Sequence, residues 1–280
     1  MTTKRIAAAV AGAAIAVTAY MTWTVRTGVK GFYSNQYSTI SASVPARQGH
    51  ADWLKRQAAN LDAIYGADSR VGTSSHGTLA DLIIRERRGG VRSVAMPYSS
   101  ASSVTSGLNA YNRAVVDSAR IDAVISEIEP YNTNDYAGFY STIRSVGNWC
   151  RTNRVMPCVY MGWPSEAAWD SIVANADRVF LHCYRASTSM SGSSQYGYVR
   201  ARMGTIAAKA KARSKKMSVV IIYSCEPEFS YDYFRAASWN EAYSNYTAAY
   251  NTSATADMKQ WLTQDGWMVF VSQYAKKIKP

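Results

Sequence analysis

Four of the seven Glu residues in the chain fall in two short segments of the same kind. One reads Ile-Ser-Glu-Ile-Glu-Pro-Tyr-Asn and carries Glu127 and Glu129; the other reads Ile-Tyr-Ser-Cys-Glu-Pro-Glu and carries Glu226 and Glu228. The remaining Glu86, Glu166 and Glu241 lie in amphipathic stretches, where surface Glu is ordinary. Carboxyl groups two residues apart on an extended segment share a face. Held close together they repel, and one of them stays protonated near neutrality. A protonated and an ionised carboxyl group side by side meet the requirement of glycoside hydrolysis, in which the acid protonates the leaving oxygen and the carboxylate acts as nucleophile, base or electrostatic stabiliser. Glu129 and Glu127 are therefore candidate catalytic residues, with Glu226 as a third carboxylate from the second segment. Glu228 reads as a loop residue. The competing reading is that these Glu form salt bridges with Arg185 or neighbouring Arg and do no chemistry.

Such groups need elements to position them. Beyond residue 28 the sequence alternates short apolar, β-branched or aromatic runs with longer amphipathic stretches. Strands are expected at Val29–Ser34, Leu61–Gly66, Val91–Pro97, Asp122–Glu129, Val155–Gly162, Arg178–Tyr184, Met217–Cys225 and Trp267–Gln273. Between them helices are expected at Ala46–Asn60, Thr78–Arg88, Val104–Arg120, Asn134–Thr152, Ser165–Ala176, Gly197–Ser214 and Ser238–Thr263. Strict alternation argues for a parallel sheet with crossover helices. Eight such units in about 250 residues is the size of a (β/α)8 TIM barrel. An open doubly wound sheet is the second choice, and it lacks support because no GxGxxG or Walker loop is present. No linker divides the chain, so a single α/β barrel domain is expected over residues 28–280.

In such barrels the working residues lie at the C-terminal strand ends, and nearly every expected end carries an aromatic or amide group suited to stacking on, or hydrogen bonding to, a sugar. The substrate-binding candidates are Tyr33, Asp68, Tyr98, Tyr131, Asn132, Tyr160, Trp163, His182, Tyr184, Arg185, Tyr223, Gln273 and Tyr274. His182, alone in its strand, also reads as a hydrogen-bonded core residue. Trp149, Trp169 and Trp261 fall on helices and read as packing residues. Ser224 has no GxSxG elbow around it, which argues against a Ser–His–Asp site. No Cys/His spacing suggests zinc, and neither a metal nor an organic cofactor is needed. Cys158, Cys183 and Cys225 sit in apolar runs and read as buried small hydrophobes, while Cys150 and Cys158 are close enough in sequence to pair across a short loop.

The N-terminus speaks to place. Lys4 and Arg5 precede an Ala-rich apolar run from Ile6 to Val17, followed by Val17-Thr18-Ala19. A basic region, an apolar stretch and small residues at −3 and −1 form a signal peptide over residues 1–19, with cleavage expected after Ala19. The uncharged stretch from Ile6 to Thr24 is also close to the length of a retained anchor, or of a first buried helix. Secretion to a periplasm or cell surface follows from either of the first two. The 280-residue chain has 31 Lys and Arg against 19 Asp and Glu, a net +12. Loss of Lys4 and Arg5 leaves +10, which suits contact with acidic glycans or a cell-surface polysaccharide as well as plain solubility. The basic residues are scattered, which argues against nucleic acid. With 48% apolar and 18% charged residues the chain is neither disordered nor a polytopic membrane protein.

Two resemblances bear on these segments. Ile121 through Glu129 resembles the signature strand of family-18 chitinases and related barrels. In that likeness Asp122 matches the opening Asp, Glu127 the penultimate acid and Glu129 the proton donor, with Ile125 standing where a further Asp is expected. Val-Phe-Leu-His-Cys-Tyr is similar to that family's strand ending in Tyr, which implies that Tyr184 lies beside the reacting sugar. A broader resemblance, from about Leu61 to Tyr274, is to a group of uncharacterised secreted bacterial TIM-barrel proteins. It rests on Glu127-Ile128-Glu129 with Tyr131-Asn132, Tyr160-Met161-Gly162-Trp163, His182-Cys183-Tyr184-Arg185 and Ser224-Cys225-Glu226-Pro227. It implies a shared barrel and a shared mouth. The paired Glu at the fourth and seventh strands is also similar to the large retaining-glycosidase clan, without that clan's Asn-Glu pair. The expectation is a secreted glycoside hydrolase acting on a poly- or oligosaccharide; the alternative is a carbohydrate-binding or surface assembly protein on a degenerate barrel.

Overall fold

In the computed structural model, which describes residues 28–72 and 76–278, eight parallel strands pair in sequence order and the eighth returns to the first, closing a barrel. The strands are β1 (Val29–Ser34), β2 (Leu61–Ile64), β3 (Ser93–Tyr98), β4 (Ala123–Ser126), β5 (Met156–Met161), β6 (Arg178–His182), β7 (Met217–Ser224) and β8 (Leu262–Phe270). The main helices are α1 (Val44–Arg56), α2 (His76–Arg88), α3 (Asn109–Ala114), α4 (Tyr136–Asn153), α5 (Glu166–Asn175), α6 (Gly192–Ala212), α7 (Trp239–Ser253) and α8 (Ala256–Trp261). The sheet is buried on both faces, as an all-parallel barrel requires, and this divides the apolar residues into two clusters. Ala63, Ala95, Ala123, Ile125, Phe180, Val220, Ile222 and Met268 fill the barrel. Val94, Val124, Val159, Val179, Val219 and Trp267 face the helices.

Helix starts are set by side-chain caps. Ser43, Asp135, Ser165, Ser191, Ser238 and Thr255 each accept the backbone N–H three residues on, satisfying a donor that the first turn leaves free. Two expected helices break for related reasons. The stretch expected to run from Val104 to Arg120 is a π turn over Ser103–Leu108, then α3, then a 3-10 turn at Asp117–Ala119. Val115 and Val116 between them are extended, as β-branched residues prefer. The helix expected over Ser238–Thr263 stops at Ser253 and restarts after the Thr255 cap, and Leu262 and Thr263 already belong to β8. That strand therefore ends at Phe270, three residues short of the expected Gln273. Gly266 lets β8 bend beside β1: its φ is +123°, and a Cβ there would lie 2.0 Å from the Val29 carbonyl oxygen.

A polar plug closes the N-terminal end of the barrel. Arg178 donates to Asp265 and to Ser218 Oγ, and Asp265 also accepts from Ser218 Oγ at 2.7 Å and from the Gly28 amide at 3.1 Å. The four cysteines are buried free thiols. The pairing of Cys150 with Cys158 does not form because Cys158 faces the barrel interior and Cys150 lies in the outer layer, on the other side of the sheet. The expected signal peptide or anchor over residues 1–19 lies outside the described residues, among which no helix is long and apolar enough to cross a membrane.

Candidate active site

The strand alternation that points Ala123 and Ile125 inward carries Glu127 and Glu129 to the mouth just past the end of β4. The Glu127 backbone N–H is held by the Tyr98 carbonyl at 3.0 Å, which extends the sheet by one bond beyond Ser126. Glu129 lies at the start of the short turn Pro130–Thr133, so Tyr131 and Asn132 fold back onto it. Tyr131 Oη donates a short hydrogen bond to Glu129 Oε1, and Asn132 Nδ2 donates to Oε2 at 2.7 Å. Glu127 lies in a drier place: burial first, and the neighbouring Glu129 charge second, raise its carboxyl from 4.5 to about 8. The pair thus separates one proton-holding carboxyl group from one hydrogen-bonded carboxylate.

The floor beneath them is aromatic. Tyr33, Tyr160 and Tyr184 point into the barrel with Phe270, which lies 5.1, 5.8 and 5.9 Å from their respective rings. Tyr160 and Tyr184 share a short hydroxyl–hydroxyl hydrogen bond, and burial pushes both phenols upward. His182 is stacked on Tyr184 at 4.7 Å and lies 4.0 Å from Tyr160. Its Nε2 is 3.9 Å from Glu129 Oε1 and makes no hydrogen bond among the described residues. Burial and the nearby Arg202 charge drive the imidazole down to about 3. It is therefore neutral, and its contact with Glu129 is polar rather than ionic. The Tyr33 hydroxyl is likewise buried without a hydrogen-bond partner among the described residues. Two polar atoms at the mouth thus face inward unsatisfied, as expected of groups that meet a polar ligand.

Gly162 makes the juncture of Tyr131, His182 and β5 possible. A Cβ at this position would lie 2.7 Å from Tyr131 Oη and 3.0 Å from His182 Nδ1. Behind it Arg202 of α6 donates to the carbonyls of Gly162 at 3.0 Å and His182 at 2.9 Å. It ties the ends of β5 and β6 together. The Trp163 ring lies over the same guanidinium at 3.8 Å, yet 53% of that residue is exposed, so its outer face is free to stack. Across the mouth Tyr65, 49% exposed, leans on Tyr33. Glu226 reaches the rim from β7. It accepts from Ser224 Oγ at 2.7 Å, and its charge, like that of Glu129, acts on the Tyr184 phenol.

The remaining expected residues divide by strand parity. Tyr98 and Tyr223 are turned away from the mouth, into the layer between sheet and helices. Tyr98 meets Ser126 there, and Tyr223 donates to Gln195 Oε1 at 2.9 Å. Each stands one position out of step with its inward neighbours, Pro97 on β3 and Ile222 on β7. Arg185 is turned to α6, where it donates to Ser194 Oγ at 3.0 Å and lies over Tyr198. Asp68 accepts from the Ser69 amide in its own turn. Gln273 Oε1 accepts from Gln36 Nε2 at 2.6 Å, bridging the ends of β1 and β8. Tyr274 packs against Tyr231 and Lys277 on the outer side. The sequence reading missed Phe270, because β8 was set three residues late, and Arg202, because a helix residue gives no strand-end signal.

No protein-family model and no curated protein matches the chain. Solved structures do. A family 18 chitinase from Crocus vernus superposes with a TM-score of 0.53 at 13% identity, over 89% of this chain and 94% of that one. A β-1,3-glucanosyltransferase active-site mutant from Rhizomucor miehei, in complex with laminaritriose, gives 0.51 at 11% identity, over 87% and 86%. A glucosidase from Croceicoccus marinus gives 0.51 at 8% identity, over 79% and 55%. At these identities the likeness establishes the fold alone, a TIM barrel.

Proposed function

We propose that the chain is a glycoside hydrolase acting outside the cytoplasm on a poly- or oligosaccharide. The observation that carries the reading is the Glu127–Glu129 pair, one member held protonated to about 8 and the other bonded by Tyr131 and Asn132. Glu127 gives its proton to the glycosidic oxygen as the bond to the anomeric carbon breaks. Glu129 faces the positive charge that develops on the sugar ring, and a carboxylate at the mouth takes the proton of the water that adds there. Glu226 is a further carboxylate for that second role. The protonation pattern exchanges the roles that the chitinase resemblance implies, in which Glu129 is the donor. Trp163 and Tyr65 offer apolar faces for sugar C–H surfaces, and Tyr33 and His182 offer hydrogen-bonding atoms. The secreted location rests on the N-terminal segment, and the net positive charge favours an acidic or cell-surface glycan.

The test is a reducing-end assay of the full chain on neutral and acidic polysaccharides, chitin and peptidoglycan included, beside Glu127→Gln and Glu129→Gln. Turnover abolished by Glu127→Gln, with an alkaline limb of kcat/KM near pH 8 in the parent protein, supports the assignment. A residual Glu129→Gln activity should show that limb at lower pH, since the Glu129 charge is one cause of the raised value. Activity in Glu127→Gln with the limb intact returns the acid to Glu129. Glycan retained without product by every form moves the chain to the carbohydrate-binding class, to which Ile125 in the inward row would then belong.

A further inference from the structure

Away from the mouth, in the layer between the barrel and its first two helices, four polar side chains converge in an otherwise apolar shell. His50 of α1, Asp62 of β2 and Glu86 of α2 are at most 2% exposed, and Ser34 at the end of β1 is fully buried. His50 Nε2 lies 3.1 Å from Asp62 Oδ2 and 3.7 Å from Glu86 Oε1. Ser34 Oγ donates to Asp62 Oδ1 at 2.6 Å and lies 3.2 Å from His50 Nε2. Both Glu86 oxygens are buried with no hydrogen-bond partner among the described residues. Two carboxyl groups buried together are tolerated only where a shared proton or a cation offsets their charge. The Arg and Lys nearest the cluster among the described residues are engaged elsewhere: Arg87 donates to Asp122, and Lys276 lies over the Trp53 ring at 5.4 Å.

We infer that His50, Asp62 and Glu86 bind a divalent first-row metal ion of the zinc type, with Ser34 or a water completing the shell. The donor atoms of the three lie within 4.8 Å of one another. Zinc bonds nitrogen and oxygen at about 2.0–2.2 Å, so adjacent ligands of a tetrahedral site are about 3.4 Å apart. The separations of 3.1 and 3.7 Å from His50 Nε2 bracket that edge. Two carboxylates and a neutral imidazole around a dication also leave the buried cluster without net charge. The ligands come from β2, α1 and α2, so the ion is structural: it clips the first two helices to the wall of the barrel. No local sequence spacing announces it, because the three ligands are drawn from separate elements.

The test uses the full chain purified without an affinity tag. Its metal content is measured by plasma mass spectrometry, and after stripping by chelator its melting temperature is followed with ZnCl2 and with MnCl2. The expected result is about one zinc per chain. At a hundredfold excess of free ion over Kd, the melting temperature should rise by about 5–10 °C in a domain of this size. Glu86→Gln should lose both while melting, metal-free, no lower than the metal-free parent, since Gln brings no charge into the buried cluster. Should Glu86→Gln fail to fold, His50→Gln serves as the second variant. X-ray absorption at the zinc edge should report a nitrogen and oxygen shell alone. Absence of bound ion and of any thermal shift with either salt overturns the inference and leaves a carboxyl pair sharing a proton. An ion retained by Glu86→Gln, or a sulfur shell from the cysteines, overturns it equally.

Discussion

Replacing Glu127 by Gln should stabilise the protein in alkali, although the residue sits at the proposed reaction centre. The folded state holds the Glu127 proton at about 8, against 4.5 for an unperturbed carboxyl group. Relative to the unfolded chain this favours the folded state fully below pH 4.5, and the advantage drains away as the pH climbs from there to about 8. At 1.36 kcal/mol per pH unit the loss is bounded at about 5 kcal/mol. Glu127 keeps some solvent contact, so about 2–3 kcal/mol is expected after screening. The Gln side chain has nearly the same shape and no charge to desolvate, so its stability should lack this component. Urea melts of the parent and Glu127→Gln at pH 5, 7 and 9 read the difference directly. The gap between the two should widen by about 2–3 kcal/mol in favour of the variant from pH 5 to pH 9. In thermal melts this corresponds to roughly 4–12 °C for a domain of this size. Parallel curves across that range would refute the placement of the proton on Glu127, and with it the acid role, without any knowledge of the substrate.

Other perturbations probe the surrounding groups. Gly162→Ala places a methyl 2.7 Å from Tyr131 Oη; a displacement of Tyr131 and with it Glu129 should lower kcat by about a hundredfold at a stability cost of about 1–3 kcal/mol, read by kinetics and urea melts on one preparation. Trp163→Ala removes an exposed ring stacked on Arg202, and should raise KM or the glycan Kd by roughly three- to tenfold with kcat unchanged. Asp265→Asn removes the carboxylate that Arg178 and Ser218 both donate to in the barrel plug; it should cost about 3–5 kcal/mol, visible as a melting temperature lower by about 6–20 °C, with the pH profile of activity unmoved.

The barrel was legible because its strands obey two simple rules at once. Each is an apolar run of strand length, and each is followed by an amphipathic stretch; Val29–Ser34 matches the structure residue for residue, and the other strand cores fall inside their expected bounds or within two residues of them, β8 excepted. The failures have local causes. In the third crossover the sequence is apolar enough for a helix throughout, but Val115 and Val116 favour extended backbone and end it early. The last crossover hides its break behind Thr255, a residue that caps a helix as readily as it sits within one. At the site, the period-two pattern sufficed where the strand end was known and failed where a side chain was counted by proximity to the end alone. That is the difference between Tyr160 and Tyr184, which face inward, and Tyr98 and Tyr223, which do not. Arg202 and the His50–Asp62–Glu86 cluster depend on helix packing over the sheet, which no local pattern encodes.

The electrostatics of the mouth follow from the same alternation. Because Ala123 and Ile125 fill the interior below, Glu127 emerges above an apolar column rather than a solvated one, and burial is the larger of the two causes that hold its proton. The aromatic rings of Tyr160, Tyr184 and Phe270 displace water from the same space, so the condition that raises Glu127 also depresses His182 to about 3. One dry surface thus sets two groups in opposite senses: a carboxyl group that stays protonated and an imidazole that stays neutral. Glu129 differs by two residues and by the turn at Pro130, which brings Tyr131 and Asn132 round as donors. Moving the acidic pair one residue along the strand would turn both groups into the outer layer, as happens to Tyr98, and the site would vanish with the fold intact.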